Sequence, residues 1–512
     1  MKSANSRIIK NTGLLYFRLI FLTFINLYAV RITLEALGKI DYGVFSVIAS
    51  VVMSLSILTG ALTSASQRYL SFHLGKEDYE KYSHTFTLLL LTFIILSGIM
   101  IFVGEALGYF FIEKWLDIPS DRVHAAYWVF QTTLVSFVFG LITIPYTSSI
   151  VANERMDAFA IFSVVEGVFK LAIAFILINY GGDRLILYGI FTASISIVVF
   201  LMSMQYCHSK IHYCRYIWKW NGSLFKDLLG YTGWNLFGSI SGMLDNQGQN
   251  ILLNMYFGPI LNTAKAIADR IQSVISGFST NLYMAVSPQI IKSYASEDYG
   301  RAHNLVMKTS KMSFLLLFIL SFPLICNMDG LLYLWLGNDA KTPFMTAFSQ
   351  LILVYCMVIS LEPPISRLIQ ATGKIKRYQL SVGAITLAYI PIAALAFALG
   401  GSAILSLIIL IAVMATAQFV RIYVARRQVN LSPTKYFKEV AVPVLKVSVI
   451  GGAAYLLPPL ASTSADPFLL ILLRTATAGI CGLFIAAILG LSREDRQFIL
   501  GMIKDKLHKT QS

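Results

Sequence analysis

Charged residues are scarce in this chain. They make up 13% of its 512 residues, against roughly a quarter in an ordinary soluble domain, whereas 56% of the residues are apolar. A membrane-spanning helix needs about 20 predominantly apolar residues, and such runs follow one another along the whole chain. The composition therefore excludes a single soluble core and predicts an all-α, polytopic membrane protein.

Long polar connections are also missing. The apolar runs predict about fourteen transmembrane helices, and the short loops between them leave no room for a catalytic domain. The predicted spans are residues 12–30, 42–66, 84–111, 125–151, 158–178, 184–206, 228–257, 262–287, 306–328, 345–371, 378–398, 402–424, 441–457 and 468–490.

The sequence lacks the motifs of several enzyme classes. No GxxxxGK[ST] loop occurs, so any transport is driven by a gradient rather than by ATP bound to this chain. None of the seven histidines lies in the interior of a predicted span, which disfavours an intramembrane acyltransferase because that reaction needs a buried base. We therefore expect no enzymatic activity and no cofactor.

Cysteine is rare, and the five cysteines form no disulfide framework. Cys207 and Cys214 bracket His208 and His212, which leaves two interpretations, a metal site or reduced thiols beside basic residues. Because the spacing fits no usual zinc pattern, we favour the thiols and expect no metal.

The net charge of +15 is distributed as in an inserted membrane protein. With Met1 in the cytoplasm, thirty of the 41 lysines and arginines fall in cytoplasmic segments and seven outside. This is the positive-inside bias, so the basic balance reflects topology and not nucleic-acid binding. We expect a bacterial inner-membrane protein with both termini in the cytoplasm, whose first apolar run is retained because no small-residue cleavage site follows it.

The sequence repeats itself at an offset of about 220 residues. A shift of 220 aligns Gly38 with Gly258, and a shift of 219 aligns Pro145 with Pro364. The repeat predicts two pseudo-symmetric six-helix lobes plus two C-terminal helices. An even number of spans in each lobe keeps both copies in the same orientation, which implies parallel repeats with a site between them. The predicted division is an N-lobe at 1–206, a cytoplasmic amphipathic linker at 207–227, a C-lobe at 228–425, and spans 13 and 14 with a cytoplasmic tail at 426–512.

Polar residues recur at helical spacing on spans 7 and 8. The stripe on span 7 contains Asn235, Ser239, Gly242, Asn246 and Gln249, with Gly238 and Asp245 on its flank. The stripe on span 8 contains Lys265, Asp269, Gln272, Ser276, Ser279 and Tyr283. Such stripes line a hydrated cavity or stitch a helix–helix interface, and we favour the cavity because a sealed interface rarely takes Lys, Asp and several amides together.

Isolated charges within the spans are further candidates. Glu166 and Lys170 lie four residues apart, so a structural pair is as good an explanation as a site. Arg18 has no sequence partner within a turn and is suited to an anion such as phosphate. Arg270 points about 140° away from the stripe of span 8.

Prolines mark possible bends in both lobes. Pro363 and Pro364 must kink span 10, and a kink between packed halves is a candidate hinge, although many prolines in spans are merely tolerated. Pro145 is the corresponding proline of the first copy.

Several motifs resemble those of bacterial polysaccharide exporters. They are Gln249-Asn-Ile-Leu-Leu-Asn254, Tyr256-Phe-Gly258, Asn262-Thr-Ala264, Ala266-Ile-Ala268, Asn281, Ser287-Pro-Gln-Ile-Ile-Lys-Ser-Tyr-Ala295 and, in the first half, Leu37-Gly-x-x-x-Tyr-Gly43. The chain resembles, over essentially its whole length, the O-antigen and capsule flippases of the superfamily of multidrug, oligosaccharidyl-lipid and polysaccharide exporters.

The resemblance implies two lobes that alternate access to an undecaprenyl-pyrophosphate-linked oligosaccharide. The implied partners are this lipid-linked glycan, membrane lipids, and the glycan polymerase and glycosyltransferases of the same pathway. Arg18 and either Lys265 or Arg270 are similar in placement to cavity arginines on spans 1 and 8 of peptidoglycan-precursor flippases. With them we expect Asn235, Asn246, Gln249, Gln272 and Ser276 to bind substrate.

Two other functions stay open. One is a cation-coupled multidrug exporter of the same superfamily, with Asp245 or Asp269 as the coupling carboxylate. The other is a glycan polymerase or ligase, which the missing external loop and missing intramembrane histidine disfavour. The drug exporters usually have twelve spans, so the two C-terminal spans favour the lipid-linked branch and offer a groove for the lipid tail.

Overall fold

The computed structural model describes residues 2–54, 57–110, 120–217, 222–257, 259–336, 344–456, 467–492 and 496. These residues are almost entirely helical and include no strand, which confirms the predicted all-α fold. The helices are α1 (Lys2–Ser54), α2 (Ile57–Gly75), α3 (Tyr79–Phe110), α4 (Val123–Ala152), α5 (Met156–Asn179), α6 (Arg184–Lys210), α7 (Gly222–Phe257), α8 (Pro259–Ala295), α9 (Tyr299–Cys326), α10 (Met328–Leu336), α11 (Met345–Ile359), α12 (Glu362–Ala371), α13 (Lys376–Leu387), α14 (Tyr389–Ala398), α15 (Ile404–Val429), α16 (Pro433–Tyr436), α17 (Val442–Tyr455) and α18 (Pro467–Ile485).

Ten helical segments of the described chain are long and apolar enough to cross a membrane. The other four predicted spans also fall on helices: span 2 on the end of α1 and on α2, spans 7 and 8 on α7 and α8, and span 13 on α17. Helices α7 and α8 are 36 and 37 residues long, so their polar residues and not their length set them apart. Helix α17 has 14 residues and continues a π-helical turn at Phe437–Ala441.

The backbone repeats at the predicted offset. Helices α2 and α8 end at Gly75 and Ala295, and the helices that follow them begin at Tyr79 and Tyr299. Both turns contain a glutamate in the left-handed region, Glu77 at φ 56° and Glu297 at φ 64°. A left-handed backbone is uncommon for residues other than glycine, so its recurrence 220 residues later supports the two-copy interpretation.

A second pair of turns repeats in the same way. Helices α4 and α12 end at Ala152 and Ala371, and α5 and α13 begin at Met156 and Lys376. The turns between them have Glu154 at φ 60° and Gly373 at φ 77°. The first copy therefore uses glutamate where the second uses glycine, which adopts this conformation at no steric cost.

The chain forms two compact units. The N-unit contains Met1–Ile240 and Met284–Asp298, and the C-unit contains Ser241–Tyr283 and Tyr299–Ser512. Both α7 and α8 therefore contribute to each unit, whereas the sequence-based division assigned residues 228–425 to one lobe. Each of these two helices is about three times as long as an average helix in a globular protein.

Ion pairs join the helix ends of the N-unit. Arg122, at the start of α4, pairs with Asp41 of α1 and, at 3.1 Å, with Asp183, whose carboxylate also caps α6. At the opposite helix ends Glu154 pairs with Lys292 at 2.8 Å and accepts a hydrogen bond from Gln289 at 3.0 Å. The last turns of α8 are thus tied to the turn between α4 and α5.

Residues 211–217, within the predicted linker, are non-helical and lie against α3. The carbonyl of Tyr213 accepts a hydrogen bond from Ser83 at 2.7 Å, and Thr87 Oγ1 accepts one from the amide of Ile217 at 2.9 Å. The Tyr213 hydroxyl donates to Asn153, and burial raises the pKa of Tyr213 to about 12. The linker predicted at 207–227 is thus divided among the end of α6, this segment and the start of α7, while residues 218–221 and the tail after 496 lie outside the described residues.

Candidate functional site

Asp245 is the most unusual polar residue of the predicted stripes. It lies in the C-unit part of α7 and is 5% exposed. Both of its carboxylate oxygens are buried and have no hydrogen-bond partner among the described residues. A buried carboxylate without a donor is costly, so such a group in a membrane helix indicates a function.

Two tyrosines of the C-unit lie within electrostatic range of Asp245. Its charge acts on Tyr355 of α11 and on Tyr389 of α14. The Tyr389 hydroxyl is fully buried and has no hydrogen-bond partner among the described residues. One turn along α7, a Cβ added to Gly248 would lie 2.8 Å from Ile390 Cδ1. The glycine therefore permits α7 to approach α14 closely and encloses the Asp245 carboxylate.

The predicted stripe on α7 does not form a single face. Gln249 is buried and donates a hydrogen bond to Ser406 Oγ at 3.3 Å, on the same side as Asp245, whereas Ser239 and Gly242 are exposed. Asn235 is buried, and its position on α7 belongs to the N-unit. The side chain of Asn246 lies outside the described residues.

The stripe on α8 contains an internal ion pair. Lys265 Nζ lies 2.9 and 2.8 Å from the two carboxylate oxygens of Asp269, and the Lys265 side chain is 3% exposed. The charge of Lys265 is therefore neutralised by Asp269, whereas a pyrophosphate site would require an unpaired cation. For the same reason Asp269 is not a free coupling carboxylate. The four-residue spacing that permits this pair is visible in the sequence.

The remaining candidates on α8 differ in their surroundings. Gln272 and Ser276 are half-buried, and the Ser276 hydroxyl donates to Cys356 Sγ of α11 at 3.4 Å within the C-unit. Arg270 is exposed, in agreement with its direction away from the stripe. Of the two basic candidates on this helix, Lys265 and Arg270, Arg270 therefore has the accessible charge.

Arg18 of α1 lies within the N-unit and is half-buried. Its guanidinium carbon stands 4.6 Å from the centre of the Phe159 ring, a cation–π contact. Arg18 Nε is buried and has no hydrogen-bond partner among the described residues. Glu166 acts on Arg18 electrostatically but is bound to Lys170 at 2.6 Å, so the three side chains together carry one positive charge.

The candidate hinge prolines have different structural effects. The predicted kink of span 10 is a break between α11, which ends at Ile359, and α12, which begins at Glu362 with Pro363 and Pro364 in its first turn. Pro145 is buried within α4, which continues as one helix from Val123 to Ala152.

Sequence reasoning missed an ion pair at the α11–α12 break. Arg421 of α15, which the positive-inside count places at the cytoplasmic end of predicted span 12, has a side chain that is 4% exposed and lies 2.8 Å from Glu362. Arg421 also hydrogen-bonds to Tyr378 of α13. The sequence signal was an arginine eight residues before the end of a long apolar helix, but nothing in the pattern pairs it with residue 362.

The cysteine and histidine cluster contains no metal-binding geometry. Cys207 and Cys214 are buried, whereas His208 and His212 are exposed. No group of three or more His, Cys, Asp or Glu residues in the described ranges is arranged to hold a metal ion.

One family model and several solved structures are similar to this chain. Residues 239–395 match the MatE family model. The structure is similar to that of a multidrug resistance transporter of the MATE family, within the MOP superfamily, in an outward-facing conformation, with a TM-score of 0.72 and 14% identity over 83% of this chain and 96% of that chain. No curated protein sequence matches.

Two further solved structures have the same fold. A MOP superfamily transporter from Pyrococcus furiosus, whose binding pocket is described as reversed in polarity, aligns with a TM-score of 0.71 and 14% identity over 83% of this chain and 96% of that one. A MATE protein in the bent conformation gives 0.71 and 14% over 85% and 97%. The chain therefore has the polytopic helical fold of the MATE transporters.

Proposed function

We propose that this protein is a secondary transporter that moves an undecaprenyl-pyrophosphate-linked oligosaccharide from the cytoplasmic to the periplasmic leaflet of a bacterial inner membrane. The observation that carries the proposal is an apolar cavity of about 500 Å3 in the C-unit. Its wall includes Phe314, Phe318 and Phe322 of α9, Val354 of α11 and Gly451 of α17. A lipid-linked cargo needs an apolar surface for its tail, and this cavity uses span 13 to provide one.

Helix α17 is shaped to form this cavity. A Cβ added to Gly451 would lie 2.7 Å from Phe318 Cε2, so the glycine lets α17 approach the aromatic face of α9. Gly452 also lines the cavity and has nothing within 4 Å of an added Cβ. Of these consecutive glycines, Gly451 thus allows a close helix contact and Gly452 leaves space in the cavity wall.

The lengths of the chains agree with the proposal. The solved MATE structures match over 96% of their length, yet about 17% of this chain remains beyond the match. Residues 426–512, which contain spans 13 and 14, make up the same share of the chain. The uncovered share thus has the size expected of the two extra spans that distinguish the lipid-linked branch from twelve-span drug exporters.

Glycan export tests the proposal directly. In cells lacking the native gene, the wild-type chain should restore surface glycan, and its loss should leave lipid-linked oligosaccharide in the inner leaflet. A second function, cation-coupled drug export, is supported by the buried Asp245 carboxylate. Drug resistance without any glycan phenotype would favour that function.

Asp245→Asn is expected to abolish gradient-driven transport and leave the protein inserted and folded. The substitution preserves shape and removes the charge of a carboxylate that has no hydrogen-bond partner among the described residues. Transport at a fixed membrane level of protein, measured with and without an ionophore, would check this. Ser239→Ala, at an exposed position on α7, is the control, and full activity of Asp245→Asn would place the coupling group elsewhere.

Both termini are expected in the cytoplasm, because basic residues alternate sharply between loops. Enzyme-reporter fusions along the chain would check this, and a single inversion within spans 1–12 would contradict the two-copy topology. Fusions should read external after Trp115, Arg184, Asp339 and Ser464, and internal after Lys76, Lys219 and Arg427.

A further inference from the structure

The C-unit has a second cavity, of about 630 Å3, that is lined by lysines. We call it the lysine pocket. Its volume lies within the range of roughly 300–1,000 Å3 that is typical of ligand sites. Its lysines are Lys308 and Lys311 of α9, Lys435 of α16 and Lys438 of the following π-helical turn.

The lysine pocket has an excess of positive charge. Glu439 is the one acidic residue that lines it within the described chain, so its formal charge is +3. The Glu439 carboxylate is 3.8 Å from Lys435, and both side chains are about half exposed. An exposed pair of this kind contributes little, so it does not remove the attraction for an anion.

The lysines are held on two helical segments that face one cavity. Lys308 and Lys311 are one turn apart on α9, and Lys435 and Lys438 are one turn apart across α16 and the π-helical turn. Lys311 is 7% exposed, whereas Lys308, Lys435 and Lys438 are exposed. The three exposed ammonium groups can therefore approach a phosphate from two helical segments.

Part of the pocket wall is apolar. It is formed by Pro443 at the start of α17 and by Leu489 and Leu491, in and just after the π-helical turn Ala486–Gly490 that follows α18. Large apolar residues near these in the sequence, such as Leu445 and Ile488, are exposed and are suited to lipid chains. A ligand in this position would have its anionic group among the lysines and its apolar part along the spans.

From this juxtaposition we infer that the lysine pocket binds the phosphate of an anionic phospholipid from the cytoplasmic leaflet. Basic pockets between spanning helices on the cytoplasmic side bind such headgroups. A free phosphate would satisfy the lysines but leave the apolar wall without a partner. The inference rests on the proposed cytoplasmic position of these loops and is independent of the cargo.

Lipid binding to the purified protein tests the inference. Native mass spectrometry of the full chain, delipidated and titrated with phosphatidylglycerol or phosphatidylcholine, should show preference for the anionic lipid. The triple variant Lys308→Gln, Lys435→Gln, Lys438→Gln is expected to weaken phosphatidylglycerol binding by at least about tenfold. It changes only exposed lysines and leaves the buried Lys311 in place.

A matched triple variant controls for net charge. Lys76→Gln, Lys210→Gln, Lys374→Gln removes the same charge from exposed positions outside the pocket and should bind phosphatidylglycerol as the wild type does. Equal losses in both triple variants would show diffuse surface attraction and overturn the site. Competition by millimolar inorganic phosphate, with no difference between the two lipids, would show a phosphate site and overturn the assignment to a lipid.

Discussion

Arg18→Ala is expected to reduce export of the lipid-linked glycan by roughly ten- to hundredfold, because a charge-assisted hydrogen bond contributes about 1.5–3 kcal/mol. The pyrophosphate brings at least two negative charges into a medium where uncompensated charge is costly. Arg18 supplies a cation that Phe159 orients and that no carboxylate neutralises by direct pairing among the described residues. Its nearest acidic influence, Glu166, is already bound to Lys170.

The guanidinium geometry makes the expected result specific. Arg18→Lys should retain part of the activity, because the charge remains while the forked donor geometry is lost. Lys210→Ala is the control, since it removes a basic residue of the N-unit from an exposed position outside this cluster and should change export less than about twofold.

Export is measured in cells lacking the native gene, with the membrane level of each variant checked. The structure also changes the expectation for Lys265. Lys265→Ala would leave Asp269 without its partner, so a loss of export there would reflect folding as well as binding. Full export by the Arg18→Ala, Lys265→Ala double variant would remove the pyrophosphate anchor from the mechanism.

The repeat could be predicted from sequence because it is encoded in short turns. An offset near 220 residues in isolated matches was enough to predict two copies, and the backbone has the same period in its helix ends and in the left-handed residues Glu77 and Glu297. Turn length is a local property, so it survives where side chains have diverged. The spans could be predicted for the same reason, because an apolar run is also a local property of the sequence.

The direction of each polar stripe could not be predicted in this way. Helical spacing places Asp245 on the flank of a stripe that runs from Asn235 to Gln249, and it does not reveal which sector of α7 meets α14. That depends on the contact of Gly248 with Ile390, two residues 142 positions apart in the sequence. Periodicity therefore predicted which helices have polar residues, whereas the packing of α7 against α14 determines which carboxylate is buried.

Arg421 shows a further limit of the sequence. A basic residue near the end of an apolar run is typical of a cytoplasmic loop, and the positive-inside count treats it so. The structure instead pairs it with Glu362 at the start of α12, where α11 has ended and two prolines begin the next helix. The sequence shows that Glu362 precedes the two prolines of span 10, but it does not show that Arg421 is its partner.

Arg421→Ala is expected to destabilise the protein by about 3 kcal/mol, the lower end of the range for a buried ion pair, because the Glu362 charge left without its partner is 27% exposed. The effect should be large here because Glu362 begins α12 and Arg421 also contacts Tyr378 of α13, so that one guanidinium joins three helices across the break. The free energy of unfolding in detergent, with the thermal midpoint as a second measure, would check this.

A double variant separates lost charge pairing from lost packing. Arg421→Met combined with Glu362→Gln removes both charges at similar volume, and such replacements of a buried pair are often neutral or stabilising. We therefore expect the double variant to recover most of the loss seen in Arg421→Ala, whereas Lys170→Ala, which breaks an exposed pair, should cost less than about 1 kcal/mol. If Arg421→Ala were as stable as the wild type, the pair would not hold the α11–α12 break. A double variant that is stable but inactive would have a different meaning. The break would then form without the ion pair, so the loss of transport would assign Arg421 and Glu362 to the hinge motion.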